Sequence, residues 1–316
     1  MTKKALSYSY RFLIMLAFLC IYLIWGTTYL AIVVGLEGFP PFLMASIRFL
    51  VAGLMLVSYS LFKGEGFPKK SSLIKNAFIA LVVLAGGQGL LIWSEQHIAS
   101  GYASVLVATL PIWFVVMDKK HWKLYFSNPY ILSGVALGFA GIIILFRDKL
   151  TEPLPAAQIH LQLVASVAVL FGAMCWVVGT LYHRSRPAPG TLYQNLGWQL
   201  LCGAVICLLI SLSMNELDTF TWSQTDLTSW SAVLYLSVAG SIMAYIAYTW
   251  LLNEMPSAIV GTYAYINPVV AVFLGWLLVG EVITTPQMVG MLIILVSAIL
   301  INLNRGKIKP VAKAKA

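Results

Sequence analysis

Charged side chains are scarce in this chain. Its 316 residues hold 20 basic and 11 acidic side chains, 10% in all, against about 25% in a typical soluble domain. That shortage excludes a soluble globular body, because too little charge is available to cover a water-facing surface. Histidine and cysteine are fewer still, four of each. Cys20, Cys175, Cys202 and Cys207 all fall in apolar stretches with neither disulfide nor metal spacing. His97, His121, His160 and His183 fall at the ends of different segments. No metal site and no cofactor is expected. The sequence has no GxxxxGK[ST] loop, so direct use of ATP is not expected. Nor does it offer the convergent acid/base constellation of an active site, so the chain is not read as an enzyme.

What it has is apolar length. Hydrophobic residues make up 60%, and a membrane-crossing helix needs roughly 20 of them in a row. Ten segments qualify: 12–35, 41–62, 76–98, 101–117, 130–147, 158–182, 191–213, 229–252, 257–279 and 286–304. They consume nearly the whole chain. Backbone polar groups in lipid must be satisfied within their own segment, so the fold class is an all-α integral membrane protein with ten transmembrane helices. The first segment has no small-residue cleavage site after it and reads as a retained helix.

Two stretches run in parallel. Residues 100–114 read SGYASVLVATLPIWF and residues 257–271 read SAIVGTYAYINPVVA. Ser100 falls on Ser257 and Pro111 on Pro268, and the same offset puts Trp93 on Trp250. The halves meet near RDKLTEPLPAAQ, residues 147–158. Five segments lie on either side, and an odd number forces the second half to run opposite to the first. The expected organisation is a first five-helix repeat over 1–150, an inverted second repeat over 151–304, and a basic cytoplasmic tail over 305–316. Inverted repeats with interrupted helices build a site near the bilayer midplane in secondary transporters.

Charge sets the expected orientation. With the N-terminus cytoplasmic, all but three of the 20 basic residues fall inside: only Arg147 and Lys149 lie outside, and Arg48 lies within a segment. The bias of basic loops toward the cytoplasm then places both termini there. The +9 net charge reports orientation beside anionic lipid and no nucleic-acid partner.

Polar side chains in hydrocarbon are costly and should face the bundle interior. The first segment carries Tyr22, Trp25, Thr28 and Tyr29; the third Gln88 and Glu95; the fourth Thr109 and Trp113; the sixth Trp176 and Thr180. The eighth carries Ser237, Ser241, Tyr245 and Tyr248, and the ninth Tyr263 and Asn267. The fifth and tenth carry almost nothing polar and are expected at the periphery, against lipid or a second copy. Gly134 and Gly138 in the fifth have the small-xxx-small spacing that serves helix pairing, here a homodimer. Candidate substrate-binding residues are Trp25, Thr28, Gln88, Thr109, Trp113, Trp176, Ser241, Tyr245, Tyr263 and Asn267. Each has a second reading, since serine and threonine also bond their own helix and tryptophan also packs. Candidate coupling or gating residues are Arg48, Glu95, Pro111 and Pro268. Arg48 and Glu95 reach similar depth from neighbouring segments. They could pair and only fix helix packing, Arg48 could snorkel to the outer headgroups, or the two could serve a substrate carboxylate or proton coupling. The prolines each free a carbonyl four residues back and kink their helices.

IWGTTYLAI (24–32), PPFLMASIRFLVAG (40–53), SEQHIASGYASVLVATLPIW (94–113) and YAYINPVVAVFLGWLLVGE (263–281) resemble the EamA family of the drug/metabolite transporter superfamily. Asn267, Pro268, Gly280 and Glu281 carry the most specific part. The resemblance implies a central cavity lined by segments one, three, four, six, eight and nine. It also implies an exporter of amino acids, related metabolites or drugs in the bacterial inner membrane. The chain departs from a perfect repeat: Asn267-Pro268 is matched by Leu110-Pro111, and Gly280-Glu281 is replaced by Asp118-Lys119-Lys120. The expected partners are a small-molecule substrate, a proton and membrane lipid. The expected mechanism is alternating access, with uncoupled facilitation as the alternative and a membrane sensor or enzyme behind it.

Overall fold

The computed structural model describes residues 3–147, 156–274, 276–277 and 283–303. Among them there is no strand; they form helices joined by short turns. The main helices are α1 (Lys3–Leu36), α2 (Pro41–Phe62), α3 (Lys70–Ser94), α4 (Ser100–Met117), α5 (Trp122–Ser127) and α6 (Pro129–Leu145). They continue with α7 (Ala156–Ser185), α8 (Leu192–Ser213), α9 (Leu227–Glu254), α10 (Ser257–Leu274) and α11 (Thr285–Leu303).

Among the described residues eight helices are long and apolar enough to cross a membrane, or nine if one bent pair counts as a single span. The other two expected segments are helical but shorter. The segment expected over 130–147 is α6, and the chain bends by 94° between Lys119–Ser127 and Pro129–Leu145. The last one holds an apolar helix over Thr285–Ile301. Pro129 explains the bend, because the residue before a proline is pushed out of the helical region: Asn128 has φ −112° and ψ 101°. The expected boundary at 147–158, the Gly280-Glu281 element and the tail at 305–316 lie wholly or largely outside the described residues.

Helix starts follow local chemistry. Pro41 opens α2, where its missing N–H costs nothing. The next two amides, of Phe42 and Leu43, donate to the carboxylate of Glu216 at 3.2 and 2.9 Å. Asp226 caps α9 by accepting from the Ser229 amide at 2.7 Å, and Thr191 caps α8 by accepting from the Gln194 amide.

The pairing of helices is matched between the halves. α2 lies along α8, and α6 along α11. α1 packs against α9 and α10, while α7 packs against α3 and α4. Advancing each of the first five segments by five turns one set of pairings into the other. α3 and α9 also each contain a π-helical stretch, Ala80–Gly89 and Leu236–Met243.

α6 and α11 contribute no residue to the cavity described below. A Cβ at Gly134 would meet Ile301 at 2.5 Å, and one at Gly138 would meet the Tyr265 ring at 2.5 Å. The glycine stripe expected to face a second copy is therefore covered by α11 and α10 of the same chain, and it supplies no dimer surface. Small residues let two backbones approach within or between chains alike, and the spacing cannot tell the two apart.

Candidate functional site

Where α3 and α7 cross, they nearly touch. A Cβ at Gly172 would sit 3.1 Å from the carbonyl oxygens of Gly86 and Gly87. Just beyond the crossing, Gln88 of α3 and Trp176 of α7 border a shared space. That cavity, about 80 Å³, is bounded by Trp25, Thr28, Tyr29 and Ile32 of α1, Arg48 of α2, and Gly87, Gln88, Leu91 and Ile92 of α3. Val107 and Leu110 of α4, four residues of α7 including Trp176, and Tyr263 and Asn267 of α10 complete it.

Aromatic rings form the floor. Trp25 meets Tyr263 with centroids 4.7 Å apart, Tyr248 at 5.1 Å and Trp176 at 5.6 Å. The indole N–H of Trp25 donates to the Gly240 carbonyl at 3.1 Å, and that of Trp176 to the Tyr248 hydroxyl at 2.9 Å. Both indoles have thus spent their polar atom and offer ring surface only.

Six of the ten expected substrate residues line this one space: Trp25, Thr28, Gln88, Trp176, Tyr263 and Asn267. Four do not. Thr109 and Trp113 bond to each other at 3.1 Å on α4. Ser241 accepts from Nε of Arg48 at 2.7 Å. Tyr245 donates to Gln199 at 3.0 Å and borders a separate small cavity with Tyr248 and His183. No residue of the eighth segment, α9, borders this space: α9 stands behind α1 and α2, and α2 contributes Arg48. The cause is local. Gly240 has no side chain, so Trp25 and Arg48 reach over it, and a Cβ there would lie 3.0 Å from the guanidinium.

The expected pair of Arg48 with Glu95 is absent in this conformation. Among the described residues Arg48 has no carboxylate within 4.0 Å. Glu95 is 8% exposed, and neither of its carboxylate oxygens has a hydrogen-bond partner. The two prolines differ as well. α4 is interrupted at Ala108–Thr109, so Pro111 sits in the first turn of a fresh helical piece, Leu110–Met117. Pro268 sits inside the continuous stretch Tyr263–Leu274. Oδ1 of the neighbouring Asn267, like Oε1 of Gln88, is buried without a partner.

Below the cavity the bundle is sealed by polar contacts the sequence reading missed. Asp118, after α4, accepts from the Tyr125 hydroxyl at 2.8 Å, is bonded to His121 at 2.9 Å, and lies 4.0 Å from Arg184 of α7. Arg184 donates to Ser257 at the start of α10 at 2.8 Å. Burial would raise the Asp118 carboxyl, but hydrogen bonds from His121 and Tyr125 and the charges of His121 and Arg184 outweigh it. The carboxyl is held below its ordinary value. A second network joins Asn76, Asn195 and Gln199 across α3 and α8. Several polar residues within one segment would have pointed to it; partners spread over 118, 121, 125, 184 and 257 would not.

Comparison with known proteins agrees with the fold and names the kind of protein. A solved crystal structure, 17% identical in sequence, superposes with a TM-score of 0.72 over 92% of this chain and 97% of its own. That likeness shows the fold alone. The uncharacterized inner membrane transporter YedA of Escherichia coli (strain K12) is 32% identical over 290 residues, 92% of this chain and 90% of YedA. The uncharacterized transporter YoaV of Bacillus subtilis (strain 168) is 26% identical over 89% of this chain and 94% of its own. The protein PecM of Dickeya dadantii (strain 3937) is 25% identical over 92% and 94%. The model of the EamA-like transporter family matches twice, over residues 12–147 and 163–303. On these grounds the chain is a multi-pass membrane protein that belongs to the EamA-like transporter family.

Proposed function

We propose that the chain is a secondary active exporter in a bacterial inner membrane. Its solutes are small organic molecules such as amino acids, related metabolites or drugs, moved by alternating access with protons as the coupling ion. One observation carries the reading: a cavity walled by α1, α2, α3, α4, α7 and α10, with unpaired polar groups among aromatic rings. A buried polar group without a partner is costly, and a transport site is where that cost has a use.

The organisation proposed with it is two inverted five-helix repeats, 1–150 and 151–304, with both termini and the 305–316 tail cytoplasmic. The matched pairings and the twin π-helical stretches support it. In that orientation the cavity lies toward the periplasm and the Asp118 contacts close the cytoplasmic end. The proposed substrate residues remain Trp25, Thr28, Gln88, Thr109, Trp113, Trp176, Ser241, Tyr245, Tyr263 and Asn267, with the four outside the wall acting by positioning those within it. Glu95 is the proposed proton carrier. Because Glu95 does not line the cavity, uncoupled facilitation stands as the second reading. Purified protein in liposomes tests both. Export predicts solute accumulation against its gradient when a pH difference is imposed. Facilitation predicts equilibration alone, and no flux above empty liposomes would refute both.

A further inference from the structure

The cavity leaves one full charge unanswered. Arg48 is 2% exposed, and only its Nε is committed, to Ser241 at 2.7 Å. Its two terminal nitrogens have no hydrogen-bond partner among the described residues, yet neither is sealed away from the cavity that Arg48 borders. The nearest ring, Phe49, lies 5.5 Å from the guanidinium carbon, too weak a contact to replace a counter-charge. An arginine buried this deeply without an anion is expensive, whereas the same arginine holding a carboxylate through both terminal nitrogens makes one of the stronger contacts available to a protein. Ser241 fixes the guanidinium from behind, so its free edge is presented to the space in a set orientation.

The rest of the wall limits what else the occupant can be. Trp25 and Trp176 offer ring surface only, since their N–H groups are spent on Gly240 and Tyr248. Ile32, Leu91, Ile92 and Val107 extend that apolar surface. Resting on the transport reading above, we propose that the cavity takes a small organic acid, with its carboxylate on the terminal nitrogens of Arg48 and an aromatic or branched apolar body against Trp25 and Trp176. A cationic or neutral amphipathic solute would leave Arg48 as unpaired as it is now, so the site discriminates against such molecules. Arg48 is then a specificity-determining residue, and not half of an ion pair with Glu95.

The test uses the full-length protein in nanodiscs of phosphatidylcholine, with binding followed by tryptophan fluorescence. Three probes share one body: 3-phenylpropanoate, 3-phenylpropanol and 3-phenylpropylamine. The carboxylate is expected to bind at least about tenfold more tightly than the alcohol and the amine. Arg48→Gln is expected to abolish that preference, with a single monodisperse peak on size-exclusion chromatography showing that the variant is folded. Should Arg48→Gln fail to fold, Arg48→Lys decides: it keeps the charge, loses the fork, and is expected to cut the preference several-fold. A carboxylate no tighter than the amine or alcohol, or a preference that survives both substitutions, overturns the organic-acid assignment and leaves the cavity reading standing. No binding of any probe at millimolar concentration overturns the cavity reading and the assignment with it.

Discussion

Asp118 and Glu95 are both buried carboxyl groups at the end of a helix, and the protein treats them in opposite ways. Asp118 is met by His121, Tyr125 and Arg184, and through Arg184 it reaches Ser257. Glu95, at the other end of the bundle, is met by nothing that can donate to it. Glu216 falls with Asp118, since both its oxygens take amide protons from the start of α2. A satisfied buried carboxylate contributes to the fold. An unsatisfied one costs stability, and an unexplained cost of that kind points to function. The end of the bundle that is packed and the end that holds the open cavity are separated by this difference.

The comparison breaks first if Asp118 proves dispensable. Asp118→Ala leaves Arg184 and Tyr125 without their shared acceptor and is expected to cost about 3 kcal/mol, read as a fall in the unfolding midpoint of the detergent-solubilised protein. Acid should reproduce part of that loss. The Asp118 carboxyl is held below its ordinary value, so its contribution is present above the unfolded value of about 4 and is lost as pH falls through the folded one. The stability gap between the wild type and Asp118→Asn should therefore be full at neutral pH and close below about pH 4. Glu216→Ala removes the acceptor for the Phe42 and Leu43 amides and is expected to cost about 1 kcal/mol. Smallest in stability, and most telling, is Glu95→Gln. It keeps the shape and loses only the titratable group, so the midpoint should move by no more than about 0.5 kcal/mol equivalent. Solute exchange should persist while accumulation driven by a pH difference fails. A large destabilisation by Glu95→Gln would place Glu95 with Asp118 as a structural residue.

Much of this was legible in the sequence, and the limit is specific. Segment positions follow from apolar runs, and the described part of each expected segment is mostly helical, with turns at Ala108–Thr109 and Gly261–Thr262. Gln88, Trp176 and Asn267 were readable because a polar or amphipathic side chain deep in an apolar helix must face inward. What a single helix cannot reveal is which neighbour its polar face meets. Ser241 and Tyr245 lie on an inward face, yet that face meets Arg48 and Gln199 and not the cavity. Gly134 and Gly138 mark close packing without naming the partners, which are α11 and α10. Pro111 and Pro268 align in sequence, but α4 breaks just before its proline while the second piece of α10 runs on through Pro268. The Asp118 cluster is assembled from residues up to 139 positions apart, and no local pattern announces it.

The central claim is that an aqueous path enters the bundle at the Glu95 end and stops above the Asp118 contacts. It is tested most directly by a single cysteine at Asn267, in a protein whose four native cysteines have been replaced, treated in membrane vesicles of known orientation with a membrane-impermeant thiol reagent. Reaction from the periplasmic side alone is predicted, with a cysteine at Leu295, on the outer face of α11, remaining unmodified from either side. Equal modification of Asn267→Cys and Leu295→Cys, or no modification of Asn267→Cys from either side, would contradict the account.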